Sequence, residues 1–211
     1  MAKLLTELVG TFFLVFTIGL VVATGSPIAV IAIGVVLMAM IYMGGHVSGA
    51  HYNPAVSTAL LVSKKMEAKD YAPYVVVQLV AGVLAAFASY FVTGKSFAPA
   101  PGQGVELAQA LLVEVLFTFA LAITVLNVAC SKKTEGKGFY GLAIGFVIVA
   151  AALSAGGVSG GAFNPAVGIG PTLVHAAVGG GSLEHVWLYI VGPVTGALLA
   201  TAVFKVQEGS E

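Results

Sequence analysis

Apolar residues run along this chain in long blocks instead of alternating with polar ones. Six blocks, 4–24, 28–45, 71–92, 107–129, 139–156 and 186–205, approach the roughly 20 residues that a helix needs to cross a bilayer core. Two more, near 53–62 and 164–175, are apolar but about half as long, and each follows a Gly-rich stretch, 44–50 or 156–161. The pattern predicts an all-α integral membrane fold with six transmembrane helices and two short re-entrant ones. Lys3 before the first block gives it the look of a signal peptide, but its run exceeds the roughly 7–15 residues of an h-region.

Composition narrows the class further. Hydrophobic residues make up 59% of the 211 and charged residues only 9%, with a mean hydropathy of +1.03. A soluble domain carries roughly 25% charged residues, so that class is excluded. The 27 glycines suit membrane helices, whose backbones approach closely at small residues. With no polar tract, Gly period or basic patch, the sequence also excludes disorder, a collagen-like repeat and nucleic-acid binding. The single Cys130 can form no intramolecular disulfide. It sits at the end of the fourth span, away from the motifs below, so mercurial block is not expected.

The lysines orient the spans. With six alternating crossings, Lys3, Lys64, Lys65, Lys69, Lys132, Lys133, Lys137 and Lys205 share one side and Lys95 alone lies on the other. The positive-inside rule then predicts both termini in the cytoplasm of a multi-pass protein of the cell or inner membrane. Counting either short segment as a full span would erase the bias, so both are read as re-entrant. Lys132 and Lys133 are read as topology determinants.

An internal repeat carries the candidate chemistry. Val47-Ser48-Gly49-Ala50-His51-Tyr52-Asn53-Pro54-Ala55-Val56 matches Val158-Ser159-Gly160-Gly161-Ala162-Phe163-Asn164-Pro165-Ala166-Val167 at an offset of 111. Glu7 in the first span pairs with Glu114 in the fourth, and Tyr74 with Ala81-Gly82 echoes Tyr189 with Gly196-Ala197. Halves 1–94 and 105–206 each hold three spans and one short segment, and an odd number of crossings forces opposite orientations. Asparagine is a strong N-cap and proline suits the first helical position, so each Asn-Pro-Ala starts a helix inside the membrane. Inverted halves bring the two starts tip to tip near the midplane. Their positive ends, each roughly half a charge, repel cations, while the amide NH2 groups of Asn53 and Asn164 offer donors to neutral molecules.

Residues Asn53, Pro54 and Ala55, matched by Asn164, Pro165 and Ala166, together with the repeat and lysine pattern, make the whole chain resemble the aquaporins of the major intrinsic protein family. The resemblance implies six tilted helices plus two half-helices, a pore in each subunit, a homotetramer, and passage of water and small neutral solutes. It also implies that Glu7 and Glu114 accept hydrogen bonds from the re-entrant loops; the alternative for Glu7 is an interfacial carboxylate at a helix start.

The sequence departs from most members at the filter. Val167 stands where they carry arginine, and the chain has no arginine at all. Aligning on the motifs places Ile33, Ala152 and Gly161 with Val167 at the constriction, a wide apolar gate with few donors; ordinary core packing is the alternative for the three side chains. The pattern resembles that of plant tonoplast intrinsic proteins, which implies ammonia, urea or peroxide as further solutes, and a wide apolar gate without arginine adds glycerol to the expected range. Gly168 replaces the Asp of glycerol facilitators, and Ile190 the tryptophan usual beside Tyr189.

His46 and His51 flank the first loop and either face the cytoplasmic vestibule or pack against helices. His175 and His185 are read as surface residues of the outer side, and segment 93–105, with Phe97, Pro99 and Pro101, crosses that surface. No histidine or cysteine set has metal-ligand spacing, and no cofactor is expected. The alternatives are a strict water channel narrowed by another element and a non-conducting structural membrane protein. A coupled transporter needs acidic groups at its substrate site, where the only deep acids here, Glu7 and Glu114, have a structural explanation. An enzyme needs a nucleophile, metal cluster or phosphate loop that the sequence does not offer.

Overall fold

The structure, a computed structural model, describes residues 1–209. Its α-helices are α1 (Ala2–Thr24), α2 (Ala29–Ser48), α3 (Pro54–Val62), α4 (Ala68–Thr93), α5 (Leu107–Val125), α6 (Tyr140–Ser159), α7 (Pro165–Ala177) and α8 (Leu188–Glu208). A π-turn over Leu126–Cys130 continues α5. Six of these helical segments are long and apolar enough to cross a membrane. They coincide with the six blocks of the sequence, most of them running a few residues past one end. Helix α3, with 9 residues, and α7, with 13, rise only about 14 and 20 Å at 1.5 Å per residue, too short to span.

Local sequence explains the boundaries. Uninterrupted apolar runs leave each backbone polar group no partner but its own helix. Helices α1, α2, α4 and α6 stop at Gly25, Gly49, Gly94 and Gly160, all in the left-handed conformation that terminates a helix without steric cost in glycine. Asn53 and Asn164 are extended and cap α3 and α7, each followed by proline.

Packing follows the two halves. Helix α1 packs on α2 and α4, α5 packs on α6 and α8, and α2 meets α6 between them. The short helices also cross over: α3 packs on α8, and α7 on α4. Ala55 lies in a cluster with Ala197, Ala200 and Phe204 of α8, and Gly82 of α4 presses against the Ala166 carbonyl of α7. Each short helix is therefore seated in the half to which it does not belong.

Candidate functional site

The two helix starts meet at the centre of the bundle. Asn53 Oδ1 accepts from Ala55 N at 2.8 Å, and Asn164 Oδ1 accepts from Ala166 N at 2.9 Å. The capping expected of both asparagines is thus present, but the NH2 groups are not wholly free. Asn53 Nδ2 donates to the Phe163 carbonyl and Asn164 Nδ2 to the Tyr52 carbonyl, both at 2.9 Å. One hydrogen of each amide latches the opposite loop, which leaves the second for the cavity.

Each loop is held by the carboxylate of its own half. Glu7 accepts from Ser48 Oγ at 2.7 Å, His51 N at 2.9 Å, Tyr52 N at 2.7 Å and Gln78 Nε2 at 2.8 Å. Glu114 accepts from Ser159 Oγ at 2.7 Å, Ala162 N at 3.0 Å and Phe163 N at 2.7 Å. Both carboxylates are fully buried. Tyr74 and Tyr189 add matched latches by donating to the carbonyls of Ser48 (2.7 Å) and Ser159 (2.6 Å). These bonds hold Ala50, Tyr52 and Phe163 at φ values of 52°, 50° and 50°. Such left-handed positions cost a non-glycine residue about 1–2 kcal/mol each, which the surrounding bonds offset.

One cavity of about 1320 Å³ runs past these tips. At the lysine-rich end its lining includes Lys3, His46, Lys65 and Lys132; at the centre Asn53 and Asn164; at the other end Val22, Phe97 and Ala100. All the charged lining residues (Lys3, Lys65, Glu67, Asp70, Lys132, Glu135 and Lys137) belong to the lysine-rich end. From the asparagines to the far mouth the lining side chains are apolar.

Ile33, Ala152, Gly161 and Val167 all line this apolar half. Pro54, Ala55, Pro165 and Ala166 are buried behind the lining and seat the short helices. His46 is exposed on the vestibule, while His51 both lines the cavity and packs, with Nδ1 3.0 Å from Ser57 Oγ and its ring 4.9 Å from that of Tyr74. Cys130, at the end of the π-turn, also lines the cavity near the lysine-rich mouth. The cysteine is thus remote from the motifs but not from the cavity, a place on the lining that the sequence did not indicate.

The sequence reading did not assign Ser48, Ser159 or Gln78. The serines stand within the repeat, so their matched positions were a usable signal. Gln78 had none: counting from Tyr74 and Tyr189, its counterpart in the second half is Pro193. His51 and Ser57 likewise correspond in the repeat to Ala162 and Gly168, so the first half holds a polar chain that the second lacks. Among the described residues no group of three His, Cys, Asp or Glu is placed to hold a metal ion.

Comparison with known proteins agrees with the geometry. The chain is 36% identical, over the full length of both, to "Glycerol uptake facilitator protein-like 6" of Lactiplantibacillus plantarum. It is 33% identical to "Aquaporin AqpM" of Methanothermobacter thermautotrophicus, covering 96% of each chain. With "Aquaporin NIP1-1" of Zea mays it shares 36% identity across 93% of this chain and 71% of that one. Among solved structures, the aquaglyceroporin from Plasmodium falciparum superposes with a TM-score of 0.86 at 21% identity, covering 96% of this chain and 94% of the other, which shows a shared fold. The major intrinsic protein family matches residues 1–204. Two capped helix starts meeting inside a six-span bundle, with that match along nearly the whole chain, make this protein a member of the major intrinsic protein family of membrane channels.

Proposed function

We propose that the cavity conducts water together with small neutral solutes such as ammonia, urea, glycerol and peroxide. The observation that carries this reading is the lining: two positive helix ends with Asn53 and Asn164 at the centre, then a half without a charged side chain. A cation leaving the asparagines would meet no compensating charge, whereas a neutral solute needs none. Val167, Ile33, Ala152 and Gly161 form the filter, wide and poor in donors because no arginine reaches it, in the manner of tonoplast intrinsic proteins. The names of the relatives, a glycerol uptake facilitator and aquaporins, are in keeping with this range.

The wider arrangement follows the same reading. Residues 1–94 and 105–206 are inverted repeats, supported by the matched bonds of Glu7 and Glu114 and the crossed seating of α3 and α7. Both termini lie in the cytoplasm of a cell or inner membrane, supported by the lysine bias, and the chain assembles as a homotetramer with one pore per subunit. The second reading, a strict water channel, draws on Phe97 and Ala100, which also line the far mouth.

Val167→Arg tests the filter in proteoliposomes under urea and glycerol gradients. Solute flux is expected to fall by about tenfold, the change that about 1.4 kcal/mol of added barrier gives, with water flux far less affected. Unchanged solute flux would remove Val167 from the filter.

A further inference from the structure

Segment 95–102, between α4 and α5, is strapped across the mouth opposite the lysine-rich end. Lys95 Nζ donates to the Ala23 carbonyl at the end of α1, at 3.0 Å. Ser96 Oγ and His175 Nδ1 lie 2.8 Å apart, which ties the segment to the last turn of α7. Phe97 packs toward α1, where a Cβ on Gly19 would come within 2.9 Å of its ring. Gly102 N donates to the Val158 carbonyl of α6 at 3.0 Å. The backbone at Pro99 and Ala100 fills the place of a Cβ on Gly160, at 2.9 and 2.6 Å. These anchors reach three helices around the mouth and the second re-entrant loop.

Between the anchors, Phe97, Ala98, Pro99 and Ala100 line the cavity in the half that holds Val167 and Gly161. Pro99 and Pro101 fix φ and stiffen the segment, so it stands as a wall without depending on a solute to order it. They also remove two N–H groups, so residues 97–101 offer five carbonyls against three donors. Among the described residues none of these backbone groups pairs with another part of the chain. Groups of this kind beside a lumen find partners in whatever passes through it.

We propose that Phe97–Ala100 is a wall of the far constriction that sets the size of solute admitted and favours neutral hydrogen-bond donors, with His175 as the positioning residue that latches it through Ser96. The inference rests on the reading of the cavity as a solute path and adds a fixed backbone wall to the four filter positions.

Proteoliposomes under a glycerol gradient give the ratio of solute to water permeability for the parent and each variant. Ser96→Ala and His175→Ala are each expected to raise that ratio several-fold, and the double variant no further, since both break one bond. His175→Asn keeps a polar atom near the place of Nδ1 and is expected to return the ratio toward that of the parent. Ala100→Trp, at an exposed position, is expected to lower it by crowding the mouth. A conducting parent whose ratio stays flat in Ser96→Ala, His175→Ala and Ala100→Trp would overturn the wall while leaving the channel intact. A parent without water flux would overturn the channel reading and the wall with it.

Discussion

Glu7 and Glu114 each gather donors from a loop that has no helix of its own to pair with, and the pore tips depend on that pairing. Replacing either by alanine leaves two buried backbone N–H groups without an acceptor, at about 1–3 kcal/mol apiece. Glu7→Ala and Glu114→Ala are each expected to cost about 3 kcal/mol or more, seen as a lower unfolding temperature in detergent and as lost water flux. Retention of both properties would show that the loops hold their shape without the carboxylates. At this scale the sequence was informative where the halves repeat. Asn53, Asn164, Glu7 and Glu114 stood out because each has a twin. Gln78 has none, and its bond to Glu7 depends on how α4 lies across α1, which one-dimensional spacing does not encode. The latch from each amide to the opposite loop was hidden for the same reason, since it joins residues 110 and 112 apart.

The helices themselves meet at glycines, as expected where lipid is as apolar as the core and close packing must supply the attraction. A Cβ on Gly34 of α2 would lie 2.6 Å from the Gly145 carbonyl of α6, and one on Gly145 would lie 2.6 Å from the Gly34 carbonyl. Backbone cannot yield as a side chain does, so Gly34→Ala or Gly145→Ala must push α2 from α6. Each is expected to destabilise by about 1–3 kcal/mol, the usual cost of overpacking. Gly138→Ala, with open space around its Cβ, is the control expected to leave thermal unfolding unchanged. Equal melting of all three variants would mean that these helices do not meet at the glycines. Element type and extent were readable because a membrane helix needs only length and apolarity. Helix α4 nonetheless begins at Ala68, ahead of the expected 71, since its polar first turn still favours helix. The strap at 95–102 gave no periodic signal: its course is set by anchors on three separate helices.

For the molecule as a whole, the crossed seating of α3 and α7 determines what the cavity can do. It brings two positive helix ends together at the centre of the bundle, along a cavity whose charged lining residues all lie toward one mouth. The number of crossings was legible as six apolar blocks, whereas the continuity of the cavity depends on side-chain volumes that only the assembled bundle reveals. Cys130 illustrates the difference, because its place on the lining, within a π-turn, leaves no mark in the sequence. The most direct test of neutral-solute conduction is stopped-flow light scattering of proteoliposomes under a glycerol gradient, where shrinkage reports water and re-swelling reports glycerol. Both phases are expected to outpace those of protein-free vesicles. Fast shrinkage with re-swelling at the lipid rate would contradict the wide filter, and both phases at the lipid rate would contradict conduction itself.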